Sequence, residues 1–302
     1  MKVTAQSFAG TPAAERSSWF SVFADLVKAR LTFLVLLTTL VGFYVGSTGP
    51  FDLSLMSATL LGTALLACGA AALNQLCEKE YDARMGRTET RPLPSGKLQP
   101  DTVLIFGAAC SIAGLICLAV AVNPLTSFLG ALTLVSYLFV YTPLKRKTWL
   151  NTAVGAIPGA LPPLMGWTAA RNDLDASGWS LFAILFFWQI PHFLAIAWMY
   201  RDDSAKAGFV MLPTVDPDGF RTGRQAVSHT FGLLFMSLLP VVMGLAGVVY
   251  FAGAVLLGAA FLFCAFRFSH SLTLARARRL FFASIVYLPL LLVLMVLDKI
   301  KH

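Results

Sequence analysis

The sequence predicts an all-α, polytopic membrane protein with nine transmembrane helices. Three observations carry that prediction. Of 302 residues, 57% are hydrophobic and 13% charged, with a mean hydropathy of +0.74, whereas soluble domains average about 45–50% apolar and about 25% charged. The apolar residues fall into nine runs, most of them near the roughly 20 residues that span a bilayer. The net charge of +8 is unevenly distributed between the connections. High hydrophobicity excludes a disordered chain. No separable basic domain exists to bind nucleic acid.

In order, the runs are residues 31–49, 53–77, 102–122, 125–143, 151–170, 179–200, 228–249, 251–266 and 280–298, the seventh and eighth parted only by a short turn near Gly253. Residues 1–30 are polar and lack the layout of a signal peptide. They are expected to be a cytoplasmic N-terminal segment ahead of one transmembrane domain, 31–298. Cys68, Cys77, Cys110, Cys117 and Cys264 form no CxxC or metal-binding pattern, and read as small core residues. With nine spans, 20 of the 23 basic residues fall on one side of the membrane; Arg171, Lys299 and Lys301 lie on the other. The positive-inside rule then puts the N-terminus in the cytoplasm and the C-terminus outside.

Two cytoplasmic connections, 78–101 and 201–227, are long and mix both charge signs, the kind of segment that carries chemistry on a rigid scaffold. The second run ends in AALNQLCEKEYDARMGRTETRPLPSG. Asn74, Glu78 and Asp82 are spaced by four, about 400° of helical rotation per step, and so share one face. Carboxylates at i,i+4 repel unless a cation is shared, and oxygen ligands of this kind suit Mg²⁺ completed by water and substrate phosphate. Arg84, Arg87 and Arg91 follow; guanidinium forks match phosphate, although the topology rule alone accounts for arginines here.

The sixth run, WSLFAILFFWQIPHFLAIAWMY, leads into RDDSAKAGFVMLP. Asp202 and Asp203, with Lys206 behind them, lie at the same membrane face as Asp82 and form a second acidic cluster. His192 sits deep in this run, and ionisable groups inside a membrane are functional until shown otherwise. If the helix runs through, His192 and Asp203 share a face about 16 Å apart in depth. Pro191 is a candidate kink, and Gln189 a candidate partner of His192. Residues 141–167 contain Lys145, Arg146 and Lys147, read as topology markers, and then Asn151, Gly155, Pro158, Pro162 and Pro163, which suit a broken helix lining a cavity.

Taken in order, NQLCEKEYD, TETRPLPSG, the 141–167 stretch, WQIPHF and YRDDSAKAGFVMLP resemble the UbiA-type intramembrane prenyltransferase superfamily, most closely its protohaem IX farnesyltransferase (haem O synthase) branch, over nearly the whole chain. The resemblance implies nine helices around a central cavity open to the cytoplasm and to lipid. It implies Mg²⁺-dependent transfer of a farnesyl group from farnesyl diphosphate to a vinyl group of haem b, with addition of water, giving haem O. Asn74, Glu78 and Asp82 match the first Mg²⁺–diphosphate motif, and Asp202 and Asp203 fall in the second. Glu78, Asp82, Asp202 and Asp203 are then the expected metal ligands. Arg84, Arg91 and Lys206 are the expected diphosphate contacts. His192 and Gln189 are expected on the acceptor side, with His192 ligating iron, orienting the porphyrin or orienting the quenching water.

Two departures stand out: Glu78 occupies a place usually held by Asp, and the DxxxD spacing of the second motif falls on Tyr200 and Ser204. Expected surroundings are a bacterial inner membrane, its lipid bilayer, and haem-copper oxidase assembly or haem A synthase as partners. Within the superfamily, the alternative is an aromatic quinone precursor as acceptor (4-hydroxybenzoate or a naphthoate). A transporter would carry charges on several spans or an inverted repeat, and a structural subunit leaves the paired acidic segments without a role.

Overall fold

A computed structural model describes residues 19–300, all-helical apart from one isolated bridge between Ala246 and Lys299. Lys2, Arg16 and Lys301, counted above among the basic residues, lie outside the described residues. The helices are α1 (Trp19–Leu26), α2 (Ala29–Gly46), α3 (Leu53–Asp82), α4 (Pro100–Ala121) and α5 (Pro124–Val135), then a π-helical turn (Ser136–Tyr141) running into α6 (Thr142–Leu144). After these come α7 (Asn151–Arg171), α8 (Ala176–Met199), α9 (Arg201–Lys206), α10 (Leu212–Val215), α11 (Phe220–Met236), α12 (Leu239–Val242), α13 (Val248–His270) and α14 (Leu274–Leu297).

Local sequence sets the helix starts. Asp52, Asn123, Asp175 and Thr273 each accept a backbone N–H of the first turn of α3, α5, α8 and α14, satisfying donors a helix start leaves open. Pro100 and Pro124 open α4 and α5 where no amide hydrogen is needed. Asn172 closes α7 in the left-handed region at φ 52°.

Eight helices among the described residues are long and apolar enough to cross a membrane. The predicted span 151–170 forms α7, whose 21 residues are long enough but less apolar, because three prolines, several glycines and threonines, and Trp167 replace aliphatic side chains. α7 can be so composed because most of it is buried in the bundle rather than facing lipid. Its prolines do not break it; nor does Pro191 break α8.

The seventh and eighth spans divide elsewhere than near Gly253. α11 ends at Met236 and the next long helix begins at Val248, with Gly244 at φ 72° between them. Pro240 opens a short helix, α12, that the glycine-containing turn then ends. Gly253 is instead interior to α13, where a Cβ would overlap Leu294. α11 also begins at Phe220, so the connection 201–227 is largely helical.

The bundle has two halves: α2, α3, α4 and α5 surround one side of α7, while α8, α11, α13 and α14 form the other, joined by α7 on α8 and α2 on α14. Small residues let backbones touch, the usual device where lipid gives no hydrophobic drive between helices. On the α2–α7 seam a Cβ at Gly42 would overlap the Pro163 carbonyl, and one at Gly166 the Thr39 carbonyl. On the α3–α4 seam Gly62 faces Gly114 and Gly69 faces Gly107. At one end Lys299 Nζ donates to the carbonyls of Tyr44 (2.6 Å) and Ser47 (2.7 Å). The loops of the opposite end carry the predicted acidic clusters. Side chains such as Val120 and Leu256 stay exposed around the circumference, as a lipid-facing surface requires. The chain is a multi-pass membrane protein.

Gly42→Leu and Gly166→Leu should each destabilise the bundle by roughly 1–3 kcal/mol or more through overpacking, read as a lowered midpoint of thermal unfolding in detergent; Gly86→Leu, where a Cβ meets nothing, should not.

Candidate active site

α3 runs unbroken through Asp82, so the spacing of Asn74, Glu78 and Asp82 becomes a single face, and all three side chains are buried (0%, 4% and 1% exposed). Buried carboxylates need partners, and each has one from a different part of the chain. Lys145 Nζ bonds Glu78 Oε1 at 2.7 Å, and Arg91 Nη1 bonds Asp82 Oδ2 at 2.6 Å. Asn74 Oδ1 accepts from Lys28 Nζ at 2.7 Å and from the Tyr137 hydroxyl at 3.2 Å, while its Nδ2 donates to Thr142 Oγ1 at 3.2 Å.

Two local structures deliver Arg91 and Lys145, and a third set of contacts ties the neighbouring segments together. After α3 the chain folds back in successive turns, Thr88 Oγ1 donating to the Asp82 carbonyl at 2.8 Å. Leu93 and Leu98 then bury against Val22 and Leu26 of α1. This is the work of RPLPSG: its leucine anchors the return that brings Arg91 onto Asp82, with Gly96 at φ 74° making the exit. The π turn points Tyr137 and Tyr141 inward with rings stacked at 5.6 Å, and α6 ends at Lys145, whose ammonium sits 4.7 Å from the Tyr141 ring centroid. Asn151 Nδ2 donates to the carbonyls of Thr148 and Val210, and Val210 N–H to the Lys145 carbonyl, all within 2.7 Å. The 145–151 and 201–211 segments are thereby tied together.

Electrostatics differ between the two lysines. Burial would push the Lys145 ammonium down, but Tyr141 and Glu78 beside it more than reverse that, and it stays charged. At Lys28, burial and the neighbouring Arg91 and Lys145 pull the ammonium down to about 7.

These groups form the polar head of a cavity of about 470 Å³. Lys28, Glu78, Asp82, Arg87, Arg91 and Lys145 line its head; Val35, Leu66, Ala70, Leu134 and Met165 line an apolar body on the α2–α7 side. The opposite wall is α8, with Trp188, Gln189, His192 and Phe193. The His192 ring stacks between Trp188 and Phe281, at 5.0 and 5.1 Å. Its hydrogen-bond partner is not Gln189 but Ser284 of α14; Gln189 Nε2 donates to the Leu185 and Ala156 carbonyls.

The second acidic cluster is placed differently from the first. α8 stops at Met199, and Tyr200 turns the chain at φ −117°, ψ 26° before α9. His192 and Asp203 therefore do not share one continuous helix face. Tyr200 and Ser204 line the cavity, at the spacing the sequence flagged; Asp202 and Asp203 do not. The Asp202 side chain is 87% exposed, near Arg201, and that of Asp203 33%, with Lys206 Nζ at 4.0 Å. Arg84 lies over the Tyr81 ring and Lys206 points to solvent, both off the cavity wall. Arg87, over the Tyr200 ring, reaches it.

Sequence reasoning passed over Lys28 and Lys145. Lys145 was hidden in a three-residue basic run that topology explains. Lys28 stands just before the first span, and only its closeness to an apolar helix start marked it.

A charged head opening into an apolar body accommodates an amphiphile with a multiply anionic end. Comparison with known proteins points the same way. The UbiA prenyltransferase family profile matches residues 35–286. The chain is 48% identical over 286 residues to protoheme IX farnesyltransferase of Solibacter usitatus (strain Ellin6076), covering 92% of this chain and 98% of that one. Its fold is similar to that of digeranylgeranylglyceryl phosphate synthase (TM-score 0.78, 15% identity, 92% and 98% of the two chains). It is likewise similar to a UbiA homolog from Archaeoglobus fulgidus bound to GPP and Mg²⁺ (TM-score 0.64, 15% identity, 91% and 99%). A family match over most of the length, on a helical bundle with this two-part cavity, means that the chain belongs to the UbiA prenyltransferase family, as an intramembrane prenyltransferase.

Proposed function

We propose that this enzyme transfers a farnesyl group from farnesyl diphosphate to a vinyl group of haem b, with addition of water, to give haem O and diphosphate. The observation that carries the reading is the cavity itself: buried acids and four cations at one end, apolar walls beyond, and an aromatic face on α8. The 48% identical relative is named for this activity.

Glu78 and Asp82 fit a magnesium ion. Both are hard oxygen donors on one helix face, and each has one oxygen committed to a cation and the other without a hydrogen-bond partner among the described residues. No group of three acids, histidines or cysteines among the described residues holds a metal alone, as expected for an ion that keeps water and substrate phosphate as its remaining ligands. Of the second cluster, Asp203 is the half-buried acid, adjacent to cavity-lining Ser204, and we assign any contribution of that side to it rather than to Asp202. Bound there, the metal supplies Lewis-acid charge neutralisation of the diphosphate.

The chain's own groups do the rest. Arg91, Arg87, Lys145 and Lys28 are fixed donors where negative charge grows as the C1–O bond breaks and its electron pair leaves with diphosphate. The apolar walls exclude water from the allylic cation. The vinyl π pair attacks that cation, and water adds to the new cation beside the porphyrin and releases a proton. Trp188, His192 and Phe193 make the aromatic part of the cavity wall on the acceptor side.

The basic-residue asymmetry favours a nine-span topology with the N-terminus and active site facing the cytoplasm of a bacterial inner membrane, and the C-terminus outside. Haem A synthase or an oxidase assembly would receive the product.

Purified protein given haem b, farnesyl diphosphate and Mg²⁺ should yield the hydroxyfarnesyl porphyrin by mass spectrometry, and EDTA should stop it. Prenylation of 4-hydroxybenzoate or a naphthoate instead, with haem untouched, would redirect the acceptor assignment. Glu78→Gln, Asp82→Asn and Lys145→Ala should each cost on the order of 100-fold or more in kcat. Asp202→Asn and Lys206→Ala should stay within about threefold of wild type and Asp203→Asn fall about 10-fold.

Bound diphosphate raises the Lys28 pKa from about 7. Above pH 7 the empty site therefore holds a largely neutral Lys28 and the occupied site a charged one. Binding should take up protons at pH 8, measured as a buffer-dependent enthalpy in titration calorimetry, and Lys28→Met should remove the effect.

A further inference from the structure

We propose that Ser284 is a positioning residue that fixes His192 in one tautomer, presenting an unprotonated Nε2 to the iron of the porphyrin acceptor. The inference rests on the haem reading above and adds to it the binding mode.

The argument is a proton count. Ser284 is fully buried in α14, and its hydroxyl has one hydrogen. That hydrogen is committed: Oγ donates to the Phe281 carbonyl at 2.6 Å, and a carbonyl can only accept. His192 Nδ1 lies 2.7 Å from the same Oγ. With the hydroxyl hydrogen turned to Phe281, Nδ1 must be the donor, and Oγ accepts with a lone pair. A neutral imidazole carries one N–H, so Nε2 is left with its lone pair.

Nε2 has no hydrogen-bond partner among the described residues, and His192 is on the cavity wall. Its orientation is fixed from both sides, by the Trp188 and Phe281 rings. Ser284 holds the first of these as well: its carbonyl accepts the Trp188 indole N–H at 2.8 Å. One residue therefore sets both the plane and the proton of the imidazole. A histidine whose far nitrogen donates to a fixed acceptor while the near one faces an open site is the arrangement found behind metal-ligating imidazoles. The only metal that the proposed substrates bring to this depth of the cavity is the iron of haem. The diphosphate head is a separate part of the site, so farnesyl diphosphate binding does not depend on this contact.

The test is spectroscopic. Ferric haem and metal-free protoporphyrin IX are titrated separately into the full-length detergent-solubilised protein, with the Soret and visible bands recorded. Wild type should show a histidine-ligated spectrum and bind the iron porphyrin at least about 10-fold tighter than the metal-free one. His192→Ala should lose that spectrum and regain it with free imidazole. Ser284→Ala should weaken haem affinity about 10–100-fold, raising KM for haem more than it lowers kcat. Ser284→Thr, which keeps the hydroxyl, should retain tight binding. Affinity for farnesyl diphosphate should be unchanged in every variant, which also establishes that each has folded, and affinity for metal-free porphyrin should fall less than that for haem. Equal wild-type affinity for the two porphyrins, or an unaltered haem spectrum in His192→Ala, overturns the proposal. If the wild type still makes haem O in that case, the functional reading survives and only the iron contact falls; if it neither binds nor farnesylates haem, both fall.

Discussion

Two carboxylates one turn apart, at the buried end of an apolar helix, impose the constraint from which much of this structure follows. Glu78 and Asp82 repel each other, and burial removes the water that would screen them. Each is held by a cation delivered by a later turn of the chain, Asp82 by Arg91 nine residues on and Glu78 by Lys145 sixty-seven residues on. Breaking such a buried pair leaves an uncompensated charge and costs far more than a surface ion pair is worth. The folding back of residues 83–98, the burial of Leu93 beneath α1, and the ending of α6 at Lys145 all serve to put a positive group on each acid. An anionic head would meet the charges of Arg91 and Lys145 already in place, so little reorganisation of those two would accompany its arrival.

α7 is the other organising element. Among the described residues it is long enough to span a membrane yet not among the helices apolar enough to do so by composition, most of it is buried, and its small residues are receptacles. A Cβ at Gly155 would press on the Tyr141 ring, and one at Gly159 would overlap the Gln189 amide oxygen. Side chains from both halves of the bundle thus lean against the same helix, which acts as a partition with the cavity held open beside it. Prolines suit this position, since they fix backbone shape and the surrounding helices cover the carbonyls they free.

Much of the fold was legible because its signals are local. Runs of apolar residues located the long helices, and helix periodicity placed Asn74, Glu78 and Asp82 on one face. The site was legible only where its parts share an element. Lys28 lies 46 residues from Asn74 and Lys145 lies 67 from Glu78, and no periodicity links positions so far apart. Lys145 also sat in a run that topology already explained. Nothing in WMYRDDSAK is a strong helix stop, so the break at Tyr200 was not marked, and the shared face of His192 and Asp203 stood on the condition that the helix ran through. The α11–α13 turn was misplaced for the opposite reason: Gly253 is a plausible breaker by composition, yet it serves as a seat for Leu294 inside a helix.

The π turn at Ser136–Tyr141 has a consequence for how this lineage can vary. A π turn holds one residue more than the α-helical turn it interrupts. Removing a single residue there would restore regular α-helix and turn everything downstream by about 100°. Leu129 and its neighbours in α5 would keep their seats, while Lys145 would swing off Glu78 and the Tyr137–Tyr141 pair would leave the cavity. An insertion that looks like a blemish in the helix is thus a register device. Tolerance to length change should accordingly be low across this one turn.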